Sequence, residues 1–479
     1  MICHAVIVLM WAFALWHAWE CRGLYLDGAS YLIGILLAQS FLGLDLSRAH
    51  SGAVVQVPVV AALWAGVSDL HWLTRVWSFG LFGVPTALYT LALLRARTDT
   101  VLLAATVASV ALVFMTTSFF IVGEYNTAHA TAIAAAVWLA ATDRLGVAGG
   151  IVLVALATLA LGTYETFVLL GPLLALMTAW TIWRAPAWPA LATALYWEAA
   201  VLFLAATAAQ AHSLIFYDDP AYLAWVISRR WQFVTNRQLC LVIAAALIVF
   251  AWGFVRPADL GRTRPYLWAG LPLVLAALTP ILVILNMRVS PPYAITQQDA
   301  RIAGGGVAAA VIVFMWAYRS RLAARLPAIT ALGTPETARR LLAFTCLMLA
   351  ALLPWDILMT HLYSRYLGEV RTSIRSQSGL IDIDNSTLPR HPRLWQGENW
   401  TFPSLSLILR SGPSDGLIAP PKGFQEEGLY PNLAPARSRP IRLAGLTGWS
   451  PCPIEHNLHR IRHPPQSGPG DLPWLSSRC

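Results

Sequence analysis

The stretch VAGGIVLVALATLALGTYETFVLLGPLLALMTAWTIWR, residues 147–184, holds two apolar runs and, in the turn between them, a single carboxylate, Glu165. Each run approaches the roughly 20 residues an α-helix needs to cross a hydrocarbon core. The pair reads as one crossing and its return. The same pattern recurs at about 100–122 with 128–142, 188–209 with 239–255 and 266–287 with 303–318, and a last run covers about 341–360. A chain that is 57% hydrophobic and 12% charged, built from such runs, is a polytopic membrane protein. The bilayer, not one central core, then organises the fold.

Arginines set the parity of the crossings. Arg95 and Arg97, Arg144, Arg184, Arg256 with Arg262 and Arg264, and a cluster from Arg319 to Arg340 all fall on one side, which the positive-inside rule makes cytoplasmic. Upstream, the runs at about 53–66 and 76–94 both look spanning, yet two crossings there would put Arg95 and Arg97 outside. The first run is only about 14 residues long, which suits an interfacial or re-entrant helix. It also carries Pro58 and is flanked by Arg48, His50, Asp69 and His71. The run Ser30–Leu46 is placed with it. The expected architecture is all-α, with about 11 transmembrane helices, the N-terminus inside and a long first outer loop carrying interfacial helices. That loop covers residues 19–75 of a membrane domain, 1–360, and a small loop-rich extracytoplasmic tail follows at 361–479.

The first run, Ile2–Ala18, has no basic n-region and no A-x-A-like site, so it reads as a retained span. The net charge of +9 comes almost wholly from arginine, Lys422 being the one lysine, a usage that suggests a GC-rich bacterial genome and hence an inner membrane. With no basic run interleaved with aromatics, nucleic acid is set aside as a partner; anionic lipid headgroups suit the arginines better. The six cysteines lie far apart with no C-x-x-C pair, which argues against a disulfide framework or a structural metal.

The parity puts Glu20, Asp27, Glu124, Glu165, Asp218 and Asp219 outside. Glu20, Asp45 and Asp69 read as ordinary polar loop residues. Asp27, Glu124 and Glu165 instead belong at the membrane surface near helix ends, where low dielectric raises a carboxylate's proton affinity and suits it to general-base work. His129, five residues after Glu124, is placed to bond Glu124 or a ligand hydroxyl, or to serve as a helix-packing histidine. Glu198 and Asp356 fall inside predicted spans and must face protein or water. Among arginines expected outside are Arg229, Arg230, Arg237, Arg288, Arg301 and Arg365. Arg288 and Arg301 bracket the loop RVSPPYAITQQDAR at headgroup level, where guanidiniums clamp a phosphate or anchor lipid.

The segments LYLDGASY, SRAH and QVPVVAALWAGVSDLHWLTRVWS, followed by Glu124 in a second acidic position, resemble the GT-C class of integral membrane glycosyltransferases over about residues 1–360. The resemblance implies inverting transfer of a sugar from a polyprenyl-phosphate carrier to a glycan, lipid or protein acceptor on the outer face. Asp27 would be the base that activates the acceptor hydroxyl. Glu124 would shape the acceptor site, or hold a divalent metal ion as in those members that use one. Outer arginines such as Arg288 or Arg301 would hold the lipid phosphate. Two other readings share the composition. One is a transporter or flippase working through Glu198 and Asp356. The other is a glycan polymerase or ligase using the loop at about 210–238, with FYDDP and SRRW. Against transport, the chain has no repeat and no inverted pair of broken helices.

Overall fold

A computed structural model describes residues 1–25, 27–43, 46–115, 124–144, 146–184, 189–216, 224, 297–320, 334–382, 401–411 and 415–418. These residues are mostly helical. Among them are α1 (Ile2–Trp19), α2 (Gly28–Ala38), α3 (Ala49–Trp64), α4 (Leu70–Ala96) and α5 (Thr100–Ser109). After α6 (Glu124–Ala140) come α7 (Val147–Leu161), α8 (Phe167–Arg184), α9 (Ala190–Ile215), α10 (Gln297–Arg319), α11 (Pro335–Arg375) and α12 (Phe402–Leu409). One two-residue parallel pairing joins β1 (Leu380–Ile381) to β2 (Leu417–Ile418). Among the described residues, α1, α4, α8, α9 and α11 are long and apolar enough to cross a membrane, which places the chain among membrane proteins.

The described chain forms two compact units, interleaved in sequence. The first takes Met1–Leu15, Leu44–Val54 and Phe82–Met359; the second takes Trp16–Gly43, Val55–Leu81 and Thr360–Cys479.

In the first unit α6 is the central helix, touching α5, α7, α8 and α10. Every residue of α6 except Trp138 is buried. Its alanines allow that, because in a lipid-facing fold small residues let helix backbones approach closely. Asp99 caps α5, accepting from the backbone N–H groups of Val101 and Leu102, and α5 runs on as a π-turn over Val110–Met115. Polar groups collect at the two ends of these helices. At one end Arg319 pairs with Asp143 and lies 3.8 Å from Asp99, and Arg184 and Arg95 donate to the carbonyls of Arg319 and Ala141. At the other stand Glu124, where α6 begins, and Glu165, in the turn between α7 and α8. The 17 residues of α6 span about 26 Å at 1.5 Å per residue.

The second unit builds on the first loop. The chain leaves α1 through Cys21, a non-glycine residue in the left-handed region at φ 56°. It turns through a short 3₁₀ segment, Arg22–Leu24, and enters α2. Helix α2 packs on α12, with Ser30 and Ser404 sharing a 2.9 Å hydrogen bond. The run 361–375, expected to belong to a loop-rich tail, is instead the continuation of α11, with Tyr363, Tyr366, Leu367, Val370 and Ile374 buried along one face. Gly80 of α4 lets α3 approach so closely that an added Cβ would stand 2.0 Å from the carbonyl oxygen of Val55. Gly80→Ala is therefore expected to destabilise the protein by about 1–3 kcal/mol, read as a lower melting temperature in detergent. Melting with the wild type would mean that the pair has slack at this crossing.

Candidate functional site

The carboxylates of the first unit are brought together by a residue of the first loop. His50 and Ser51 donate their backbone N–H groups to the Gly162 carbonyl, at 2.8 and 3.0 Å, and the Ser51 hydroxyl donates to the Thr163 carbonyl at 3.0 Å. From α9, Gln210 donates through Nε2 to the Ser47 carbonyl at 2.8 Å. These bonds fix the short 3₁₀ turn Leu46–Arg48 against the α7–α8 turn. Arg48 then reaches both acids: its guanidinium is 2.7 Å from Glu165 and 3.4 Å from Glu124, and it also lies over the ring of Tyr164. Glu124 is only 1% exposed. A carboxylate so deep is tolerable when a cation faces it, and Arg48 supplies that cation.

His129 lies on α6 beyond Glu124, its ring against Tyr125, which in turn meets Tyr164. It is fully buried, and among the described residues neither ring nitrogen has a hydrogen-bond partner; the hydroxyl of neighbouring Thr166 is in the same state. Gly305 of α10 faces both, since a Cβ there would stand 3.1 Å from Thr166 Cγ2 and 3.7 Å from His129 Nε2. Arg301 is one turn earlier on α10, at the same end of the unit. So Glu124, Glu165, His129 and the backbone of Arg301 share one polar end. Arg229, Arg230 and Arg288 lie outside the described residues.

Asp27 belongs to the second unit. It sits immediately before α2, with its backbone carbonyl accepting from Tyr31 N–H at 2.8 Å and its side chain not capping the helix. Its loop is held from α4: Trp77 donates through Nε1 to the carbonyls of both Gly23 and Gly28, each at 3.0 Å, and the Ser78 hydroxyl accepts from Gly23 N–H at 3.0 Å. Gly28 has to be glycine, because a Cβ would lie 1.9 Å from the Gly23 carbonyl oxygen. Arg22 is buried, donating to Thr360 at 2.9 Å and lying 3.0 Å from a ring nitrogen of His17. Burial pushes the Cys21 thiol up to about 11, opposed by the positive charges of Arg371 and Arg75.

Arg48, Trp77 and Ser78 were not singled out as site residues from sequence. Arg48 and Trp77 do fall in the segments that carry the GT-C resemblance, and an arginine in a loop expected to lie outside was the available signal for the first. Of the acids inside predicted spans, Asp356 is buried in α11, and Glu198 stands on the exposed side of α9.

A divalent metal does not fit here. Among the described residues no three His, Cys, Asp or Glu side chains come together, and the guanidinium of Arg48 takes the place between Glu124 and Glu165 that a cation would need. No protein-family profile, curated protein or solved structure matches the chain.

Proposed function

We propose that the chain is an integral membrane glycosyltransferase of GT-C type, moving a sugar from a polyprenyl-phosphate carrier to an envelope glycan, lipid or protein acceptor. In this reading it has about 11 transmembrane helices, a cytoplasmic N-terminus and the first loop and tail on the outer face of a bacterial inner membrane. One observation supports it above the rest: Arg48, Glu124 and Glu165, taken from three loops that charge parity assigns to the outer face, converge on one another. The polar end so formed gathers charged groups from an otherwise apolar helical unit, as a protein handling amphipathic substrates needs.

Chemically, Asp27 takes the proton of the acceptor hydroxyl as its oxygen attacks the anomeric carbon. The bond from that carbon to the carrier phosphate breaks, and its electron pair leaves with the phosphate oxygen. Attack opposite the leaving group inverts the anomeric centre. Arginines neutralise the departing phosphate. No step passes through a metal.

The test is transfer of labelled sugar from a polyprenyl-phosphate donor to envelope acceptors by membranes containing the protein, with Glu198→Gln and Asp356→Asn as the comparison. Transfer that survives both changes sustains the reading. No transfer by the wild type, with solute or lipid movement lost in both variants, replaces it with a transporter. Trp77→Phe, which keeps the ring but drops the two hydrogen bonds to the Asp27 loop, is expected to slow transfer about ten- to hundredfold at unchanged protein level; unaltered turnover would make Trp77 a packing residue only.

A further inference from the structure

The second unit contains a cavity of about 530 Å³ between the start of α4, the last turns of α11 and the end of α12. Asp69, His71 and Thr74 line it from α4, Arg371 and Arg375 from α11, and Arg410 from the tail. Three guanidiniums thus share the lining with one carboxylate, Asp69, which accepts from the backbone N–H groups of His71 and Trp72, at 2.8 and 3.1 Å, as the cap of α4, and the negative charge of Asp415 also acts on Arg410. Arg375 also donates to Ser411, whose N–H is held by Asp415 at 2.7 Å, so the tail is tied to the cavity wall. The excess of positive charge in this lining focuses the field on an anion.

Position along α4 links this chamber to the Asp27 loop. Thr74 lines the chamber, and the Ser78 hydroxyl, one turn on, donates to the Thr74 carbonyl at 2.9 Å while accepting from Gly23. Three to four residues of helix are about 5 to 6 Å.

We propose that this chamber binds a phosphate ester, with Arg371, Arg375 and Arg410 on its oxygens. Guanidiniums suit this binding because their paired N–H donors match phosphate geometry. The volume lies in the range of small-molecule sites and exceeds what a bare phosphate needs. The tail thereby acquires a role, since it brings Arg410 and Ser411 to the anion. That the chamber takes an anion rests on its own lining; that the anion is the sugar carrier's phosphate rests on the transferase reading.

The experiment uses the full chain in nanodiscs of neutral phosphatidylcholine, titrated separately with farnesyl phosphate, farnesol and inorganic diphosphate, with binding read by tryptophan fluorescence. Farnesyl phosphate is expected to bind and farnesol not. Arg371→Gln and Arg410→Gln should each weaken binding about tenfold or more, equivalent to 1.4 kcal/mol. Arg340→Gln, at the far end of α11, should leave it unchanged. Arg371→Lys, which keeps the charge, should recover part of the loss, and equal melting temperatures would separate lost binding from lost folding. Binding of diphosphate with no preference for the lipid form would keep the anion site and assign it a free phosphate ester. No binding of either anion, or binding undiminished in both glutamine variants, overturns the proposal. Should the chamber bind as expected while wild-type membranes transfer no sugar, the transferase reading fails and the anion site stands. The reverse result removes the site alone.

Discussion

Asp27→Asn is expected to lower glycosylated product by about a hundredfold or more, the range general-base catalysis contributes, while the protein accumulates normally. The expectation of normal accumulation follows from how the loop is held. The bonds from Trp77 and Ser78 reach backbone atoms of Gly23 and Gly28, so they stay in place when the Asp27 carboxylate becomes an amide. An amide fits the same space and cannot take a proton from a hydroxyl. Quantifying envelope product beside an immunoblot of each membrane preparation checks both halves. Full product with Asp27→Asn would remove Asp27 from the chemistry.

Arg48→Met is expected to act through the fold as well. The change leaves Glu124, at 1% exposure, and Glu165 facing each other without their shared cation. Removing one partner of a buried charge cluster costs about 3–5 kcal/mol, enough to deplete a protein of ordinary stability from the membrane. Removing the two negative charges as well should restore the fold: Arg48→Met combined with Glu124→Gln and Glu165→Gln is expected to accumulate near the wild-type level. Accumulation of the single variant at the wild-type level would show that Arg48 is dispensable to the fold, and a triple variant as depleted as the single one would show that uncompensated charge is not the cause.

Part of this arrangement is legible in the chain because long apolar runs form helices and the polar residues between them fall at the helix ends. Apolar runs separated by the turns at Arg144 and Glu165 become consecutive helices, with ion pairs at their ends. Arg319 meets Asp99 and Asp143 at one end, and Arg48 meets Glu124 and Glu165 at the other. Other features follow from contacts between distant segments, which no local pattern encodes. The extension of α11 to Arg375 is one. Its residues past 360 carry Arg365, Glu369, Arg371 and Arg375, so they look like a polar tail until the buried stripe from Tyr363 to Ile374 is seen against its partners. Tyr25 meets Tyr363 edge-on, and Phe402 meets Tyr366. Trp77 is another, since an indole in an apolar helix reads as packing until the loop carbonyls above it are located.

The interleaving of the two units also sets a timetable for synthesis. Residues 16–43 and 55–81 emerge early, but the segment that completes their unit begins only at Thr360. At about 5–20 residues per second, the ribosome makes the intervening stretch in roughly 15 to 55 seconds. Throughout that interval Tyr25, Ser30 and Arg22 lack Tyr363, Ser404 and Thr360. The nascent first loop must therefore be kept from misassembly by the insertion machinery or by the membrane surface itself, and any product stopped short of Thr360 would carry an orphaned half of that unit.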